Sequence, residues 1–308
     1  MVLGKLGNIE VLIWDIDGVL VYVEESYRKA IIETTQYYFD NIMGIKPKRK
    51  LLRIEDIHRF KLATGFNNDW EITYAAILCF LTDMFSNTSI DLNHILDETG
   101  RRGGGLEKLE ETLVDIYGRN VIKAKRFWFK DLIKQIFQEM YLGEELYYQK
   151  YGKPAEFIKI KGFIRNEKPL IDEEVLCKLS ERYIMGIVSG RERFEIDVTL
   201  KIHGFDKFFS DDFIVGSDDI PYSKPDPSQL IECKRRIEDR KGFIDNKNIA
   251  YIGDVPDDII AAKRAGFMSI GVTASIISTE EKVKLKEKFK RLGADIIVDD
   301  PNDLSLTL

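Results

Sequence analysis

Two carboxylates stand two residues apart in Trp14-Asp15-Ile16-Asp17-Gly18-Val19, directly behind an apolar run, Ile9–Trp14. At a point where a strand unravels into a glycine, that spacing can present both side chains to one spot. A calcium loop would want a third carboxylate two residues later and a closing glutamate, which Val19 and Glu24–Glu25 do not supply. Three further polar features each follow an apolar run. Ser189-Gly190-Arg191 closes Ile184–Val188 and offers a hydroxyl with the N–H groups that open the next helix. That is a small anion site or, in isolation, an ordinary N-cap. In Ser223-Lys224-Pro225-Asp226-Pro227 the flanking prolines restrict the backbone and aim Lys224 in one direction. Gly253-Asp254-Val255-Pro256-Asp257-Asp258 puts Asp254 at a strand end and Asp258 in the first turn of a helix. Capping and the helix dipole account for Asp257. They do not account for Asp15, Asp17, Ser189 and Lys224 gathering at the same edge.

Carboxylates, one hydroxyl and one lysine converging on a strand edge favour a hard cation that keeps several waters and shares phosphate oxygens, namely Mg²⁺. Like charges crowded together need such a cation, or their own protonation, to coexist. The implied chemistry is phosphoryl transfer with a carboxylate nucleophile, carried by positioning and electrostatic stabilisation.

In this order, Asp15-x-Asp17-Gly18-Val19, Ser189, Lys224 and Gly253-Asp254-x-x-x-Asp258 resemble the four motifs of the haloacid dehalogenase (HAD) superfamily of aspartate-nucleophile hydrolases. The placement of the intervening segment is similar to that of the helical cap in its phosphoglycolate phosphatase-like branch. The resemblance implies that Asp15 attacks phosphorus and forms an aspartyl-phosphate. Asp17 then protonates the leaving alcohol and activates the hydrolytic water. It implies that Ser189, with the Gly190 amide, holds a phosphoryl oxygen, with Gly18 and Arg191 as further phosphate-binding candidates. Lys224 would neutralise the nucleophile. Mg²⁺ would take Asp15, the backbone carbonyl of Asp17, and Asp254, with Asp258 orienting a metal-bound water or Lys224. An aspartate at position 17 suits phosphatases and also phosphomutases of the β-phosphoglucomutase type. A non-catalytic regulatory protein built on the same scaffold is the third reading, and the complete charged set argues against it.

The elements that must hold these residues follow from periodicity. Buried-strand runs occur at Ile9–Trp14, Tyr183–Val188, Phe213–Val215, Ile249–Ile252, Met268–Val272 and Ile296–Val298. Helical spacing occupies Asp172–Arg182, Arg193–His203, Pro227–Arg240, Asp257–Ala265 and Glu280–Leu292, with Gly204, Gly266 and Gly293 at helix ends. Strand and helix in alternation predict parallel strands joined by right-handed crossovers. The expected fold is α/β, a Rossmann-like parallel-sheet core with an inserted α-helical cap. Residues 1–20 and 165–308 form the discontinuous core, and residues 21–164 form the cap, with helices over Tyr22–Asn41, Asp69–Ser86, Leu106–Tyr117 and Lys123–Tyr141.

Within the cap, the turn-rich stretch His58–Trp70 carries more recognition groups than a helix cap requires, and Lys61, Asn67 and Asn68 are its candidate substrate-binding residues. Arg101-Arg102-Gly103-Gly104-Gly105 lacks the lysine and spacing of a nucleotide loop and reads as a mobile interhelix loop. Phe127-Trp128-Phe129 and Tyr147-Tyr148 read as cap core. The chain of 308 residues carries 46 Lys+Arg against 52 Asp+Glu, a balance that argues against nucleic acid as a partner. No apolar stretch approaches the ~18 residues that span a bilayer, and no signal peptide is visible. Cys79, Cys177 and Cys233 have no metal or disulfide spacing, which fits the cytoplasm. The expected partner is a small phosphorylated metabolite.

Overall fold

The computed structural model of the protein describes residues 8–46, 50–63, 65–66, 69–86 and 89–307. Its strands, in chain order, are β1 (Val11–Trp14), β2 (Val21–Tyr22), β3 (Lys168–Pro169), β4 (Ile184–Val188), β5 (Ile214–Val215), β6 (Ile249–Gly253), β7 (Met268–Val272) and β8 (Ile296–Val298). The chain divides into two compact units, one of Met1–Val23 with Glu167–Leu308 and one of Glu24–Asn166.

In the first unit, six parallel strands form a sheet in the order β5-β4-β1-β6-β7-β8. The order reverses at β1, and in such doubly wound sheets ligands bind at the carboxyl edge where that reversal opens a crevice. Every residue of β1 and β6 is buried, as a central strand covered on both faces requires. Val11, Ile13, Val188, Ile249 and Tyr251 pack with Leu230, Cys233 and Ile237 of the helix Ser228–Lys241 and Ala261, Ala262 and Ala265 of the helix Pro256–Ala265. Gly186 in β4 lets the helix Ser228–Lys241 approach, because a Cβ there would lie 2.9 Å from Cys233 Sγ. The helices Arg193–His203, Pro256–Ala265 and Thr279–Leu292 end on Gly204, Gly266 and Gly293 in left-handed conformation, as the spacing predicts.

Register then lines up the chemistry. Trp14 pairs with Ile187 and with Ile252, so Asp15 ends its strand level with Val188 and Gly253, one residue ahead of Ser189 and Asp254. A short antiparallel ribbon, Val21 opposite Pro169 and Tyr22 opposite Lys168, is an element that periodicity does not reveal, since two residues carry no period.

The second unit is helical. The helix Lys29–Tyr37 is flanked by wider π turns over Glu24–Arg28 and Tyr38–Ile42. Ile54–Leu62, Asp69–Phe85, Leu92–Arg101, Gly105–Tyr117, Arg119–Lys125 and Lys130–Tyr151 follow. Two of these correct the sequence expectation. The stretch from His58 is helical as far as Leu62 rather than a turn, and His58 is buried with its Nε2 2.7 Å from Arg28 Nη1. The single helix expected over Lys123–Tyr141 is interrupted between Lys125 and Lys130, and its second half runs on to Tyr151 past a non-helical Gly143. At Gly143 two backbones touch: a Cβ there would meet Gly162 N at 2.4 Å. The buried Glu139 holds the returning chain by accepting the backbone N–H groups of Glu156, Phe157 and Ile158 at 3.0, 2.7 and 2.9 Å.

The arginine-glycine stretch is a closed helix–helix turn. Arg101 pairs with Glu98, Arg102 pairs with Asp115 at 2.6 Å, and Gly104 N–H donates to Thr99 O. The aromatic groups are only partly core: Trp128 Nε1 donates to Tyr74 O, while Phe127, Phe129 and Tyr148 are exposed. No helix among the described residues is long and apolar enough to cross a membrane.

Candidate active site

Lys224 is the hub of the strand edge. Its ammonium lies 3.0 Å from Asp15 Oδ2, 2.7 Å from Asp258 Oδ1 and 2.9 Å from the Tyr251 hydroxyl, which occupies all three of its donors. The side chain is buried, unlike the usual solvated lysine of a turn. Burial alone would lower its pKa, but the Asp15 and Asp258 carboxylates outweigh this and hold it well above the ordinary lysine value. Asp15 is pushed up from 3.8 to about 6, first by burial and then by the neighbouring Asp258 and Asp17 carboxylates, with Lys224 pulling the other way. Its Oδ1 accepts the Ile16 N–H at 2.8 Å.

Carboxylate oxygens of Asp15, Asp254 and Asp258 lie within 4.8 Å of one another, and all three residues are buried. Three carboxylates against one ammonium leave a surplus of negative charge out of water, which a divalent cation with oxygen preference would balance. The donor set is oxygen only, so it suits such a hard cation. Each carboxylate is held from behind. Ser275 Oγ donates to Asp254 Oδ2 at 3.1 Å, and Asp258 Oδ2 caps its own helix by accepting the Val255 N–H at 3.0 Å. Gly18 makes the room: at φ 72° it has no Cβ, and one added there would fall 1.9 Å from Asp254 Oδ2. Its N–H bonds Val21 O, so its contribution is space for Asp254 rather than a donor to phosphate.

Ser189 is fully buried, and its Oγ accepts the Arg191 N–H at 3.3 Å, leaving the hydroxyl proton to donate elsewhere. Gly190 is partly exposed, and its N–H has no protein acceptor among the described residues. Asp17 is not one of the three clustered carboxylates, and its Oδ1 takes Nε and Nη2 of Arg191 at 2.8 and 2.5 Å. Arg191, expected beside phosphate, is 1% exposed and faces Asp17, Glu167 and Thr199 instead. Lys61 lies half-buried near the end of the helix Ile54–Leu62, in the other unit. Asn67 and Asn68 lie outside the described residues.

The structure adds residues that spacing did not single out. Tyr251 reads as one more apolar residue of β6, yet its hydroxyl meets Lys224, and it can donate to Val188 O or Asp258 Oδ1. Burial keeps that phenol well above its ordinary pKa, so it stays neutral. Its strand position, two residues before Gly253, was the available signal. Glu167, Thr199 and Ser275 carried none.

A parallel α/β sheet with buried aspartates gathered at the reversal of its strand order is the arrangement that comparison with known proteins assigns to a class of hydrolase. The chain belongs to the haloacid dehalogenase-like hydrolase family, which is matched over residues 9–266. It is 23% identical over 297 residues to the imidazoleglycerol-phosphate dehydratase of Phytophthora nicotianae, covering 94% of this chain and 50% of that protein. It is 32% identical over 91 residues to the phosphoglycolate phosphatase of Vibrio cholerae, covering 30% of this chain and 37% of that one. The chain spans about half the length of the curated relatives it matches. The solved structure of phosphatase Tt82 from Thermococcus thioreducens matches its fold with a TM-score of 0.57 at 23% identity, covering 91% of this chain and 98% of that one.

Proposed function

We propose that this chain is a Mg²⁺-dependent phosphomonoesterase that acts on a small phosphorylated metabolite in the cytoplasm. The observation that carries the reading is the buried cluster of Asp15, Asp254 and Asp258 with Lys224 bridging Asp15 and Asp258. The phosphatase names among the relatives support it. Asp15, Asp254 and the backbone carbonyl of Asp17 would hold Mg²⁺, which when bound supplies positive charge for the transferring phosphoryl group and lets Asp15 remain ionised. A carboxylate oxygen of Asp15 forms a bond to phosphorus as the ester P–O bond breaks, and the leaving oxygen takes its proton from Asp17. Water then gives a proton to Asp17 and its oxygen to phosphorus, releasing inorganic phosphate and the Asp15 carboxylate. Ser189 Oγ–H and Gly190 N–H donate to a phosphoryl oxygen. Lys224, tied to Asp258 and Tyr251, keeps Asp15 directed at the substrate.

The test is inorganic phosphate release from a broad panel of phosphorylated metabolites, with Mg²⁺ and with a chelator. Phosphate release that needs Mg²⁺ and disappears in Asp15→Asn is expected. Full turnover in Asp15→Asn refutes the reading, and isomerisation of a sugar phosphate without net phosphate release makes the protein a mutase.

A further inference from the structure

A guanidinium carries five N–H donors in a rigid fork. Those of Arg191 are all engaged by protein. Nε and Nη2 reach Asp17 Oδ1, Nη2 also reaches Glu167 Oε1 at 2.8 Å, and Nη1 reaches Glu167 Oε2 at 3.3 Å and Thr199 Oγ1. Thr199 in turn donates to Glu167 Oε2 at 2.8 Å. The side chains of Arg191 and Glu167 are 1% and 0% exposed, whereas that of Asp17 is 24% exposed. A buried bracket therefore ends on one oxygen of the only member that meets solvent. The other oxygen, Asp17 Oδ2, accepts no hydrogen bond among the described residues.

We propose that Arg191 is a positioning residue for Asp17: with Glu167 and Thr199 behind it, its fork pins Oδ1 so that Oδ2 carries the proton to and from the reacting oxygen. The proposal deepens, and rests on, the phosphomonoesterase reading. Glu167 matters because it balances the guanidinium, so the bracket orients Asp17 without adding net positive charge beside it. A purely structural ion pair tying the Ser189 turn to the helix Arg193–His203 would need only Glu167 and Thr199. The two bonds to Asp17 are what such a role leaves over. Sequence spacing suggests a phosphate ligand at position 191, and complete occupation of the fork removes it from that role.

The test compares phenyl phosphate with p-nitrophenyl phosphate, esters of similar shape whose leaving groups differ in their need for a proton. The readout is kcat/KM, which reports the steps through cleavage of the ester and not the later hydrolysis. Removing Arg191 alone would strand the Glu167 charge in the interior, so the double variant Arg191→Met/Glu167→Met is used with Arg191→Lys, and thermal unfolding confirms that both fold. For phenyl phosphate, the double variant loses ~100-fold in kcat/KM, the range of a misplaced general acid. For the nitrophenyl ester it loses less than ~10-fold, because that phenolate leaves without a proton. In an Asp17→Asn background the same changes add no further selectivity between the esters, since they act through Asp17. Equal losses on both esters, or none, overturn the proposal and leave the phosphatase reading standing. A wild type that hydrolyses only the nitrophenyl ester also overturns it, because no proton is then being delivered. A wild type that releases phosphate neither from these esters nor from the metabolite panel refutes the phosphatase reading, and this proposal falls with it.

Discussion

Asp15→Asn removes the proposed nucleophile, and the geometry predicts that it also stabilises the metal-free protein. In the folded state burial and the Asp258 and Asp17 carboxylates raise the Asp15 carboxyl to about 6, against an ordinary value of 3.8. Below pH 3.8 the folded and unfolded chains hold the same proton, and this group has no effect on stability. As pH rises toward 6 the unfolded chain releases that proton while the folded chain keeps it, so stability falls through this window and stays low above it. The loss is on the order of 3 kcal/mol at neutral pH and above. Asparagine preserves the shape and still offers Lys224 an acceptor, and Lys224 keeps its 2.7 Å partner Asp258. Only the disfavoured charge is removed. In EDTA at pH 8, Asp15→Asn should unfold at a higher temperature than wild type by roughly 5–10 °C, and the gap should close by pH 4. Added Mg²⁺ should narrow the gap at pH 8 by stabilising wild type more than the variant. Differential scanning fluorimetry over pH 4–8, with and without Mg²⁺, measures all three. A variant less stable than wild type at pH 8 in EDTA, or a gain that ignores pH, would refute the electrostatic argument even if activity is lost as expected.

Two further substitutions probe the same edge, and a third probes the helical unit. Gly18→Ala drives a methyl group 1.9 Å from Asp254 Oδ2 at a left-handed φ, and Mg²⁺ affinity by calorimetry should drop at least ~10-fold, the scale of a disturbed supporting shell. Tyr251→Phe removes one partner of Lys224 and should cost about 1–2 kcal/mol in chemical denaturation, with an unchanged midpoint counting against the hub role. Glu139→Ala strips the acceptor from three backbone N–H groups in the helical unit and should destabilise by ~3 kcal/mol or more, with retained stability as the contrary result.

Strand and helix positions in the sheet unit were legible because burial on both faces demands long apolar runs, and Ile249–Gly253 or Met268–Val272 satisfy that demand with little else to read. The helical unit was legible where a helix buries a full stripe, as in Asp69–Phe85. It was obscure where helices are short and mostly polar. Ile54–Leu62 and Leu92–Arg101 bury only Ile57 and Phe60, and Ile95 and Leu96, as apolar side chains, too few turns for the period to repeat. Glycine was ambiguous in both directions. Gly204 at a helix end announces itself, whereas Gly143 lies within a helical run and is explained only by Gly162, far along the chain, touching it.

The site divides along a different line. Asp15, Lys224, Asp254 and Asp258 could be read from spacing because each is placed by the backbone, at a strand end or in the first turn of a helix, and the sheet register brings those ends together. Arg191 reads as a phosphate ligand because its backbone position is two residues past Ser189, while its side chain is long enough to choose another partner, Asp17. Which one it chooses depends on Glu167 and Thr199, and neither belongs to a motif. Gly18 shows the same logic from the other side: its N–H is satisfied locally by Val21, and what matters is the atom it lacks, against a carboxylate from a strand much later in the chain. Backbone-placed chemistry is thus readable in one dimension, whereas long side chains and absent ones acquire their roles only when distant segments meet. The Asp17–Arg191–Glu167 bracket belongs to the second kind, so two chains with identical motifs can differ in how firmly the carboxylate at position 17, the proposed acid-base group, is held.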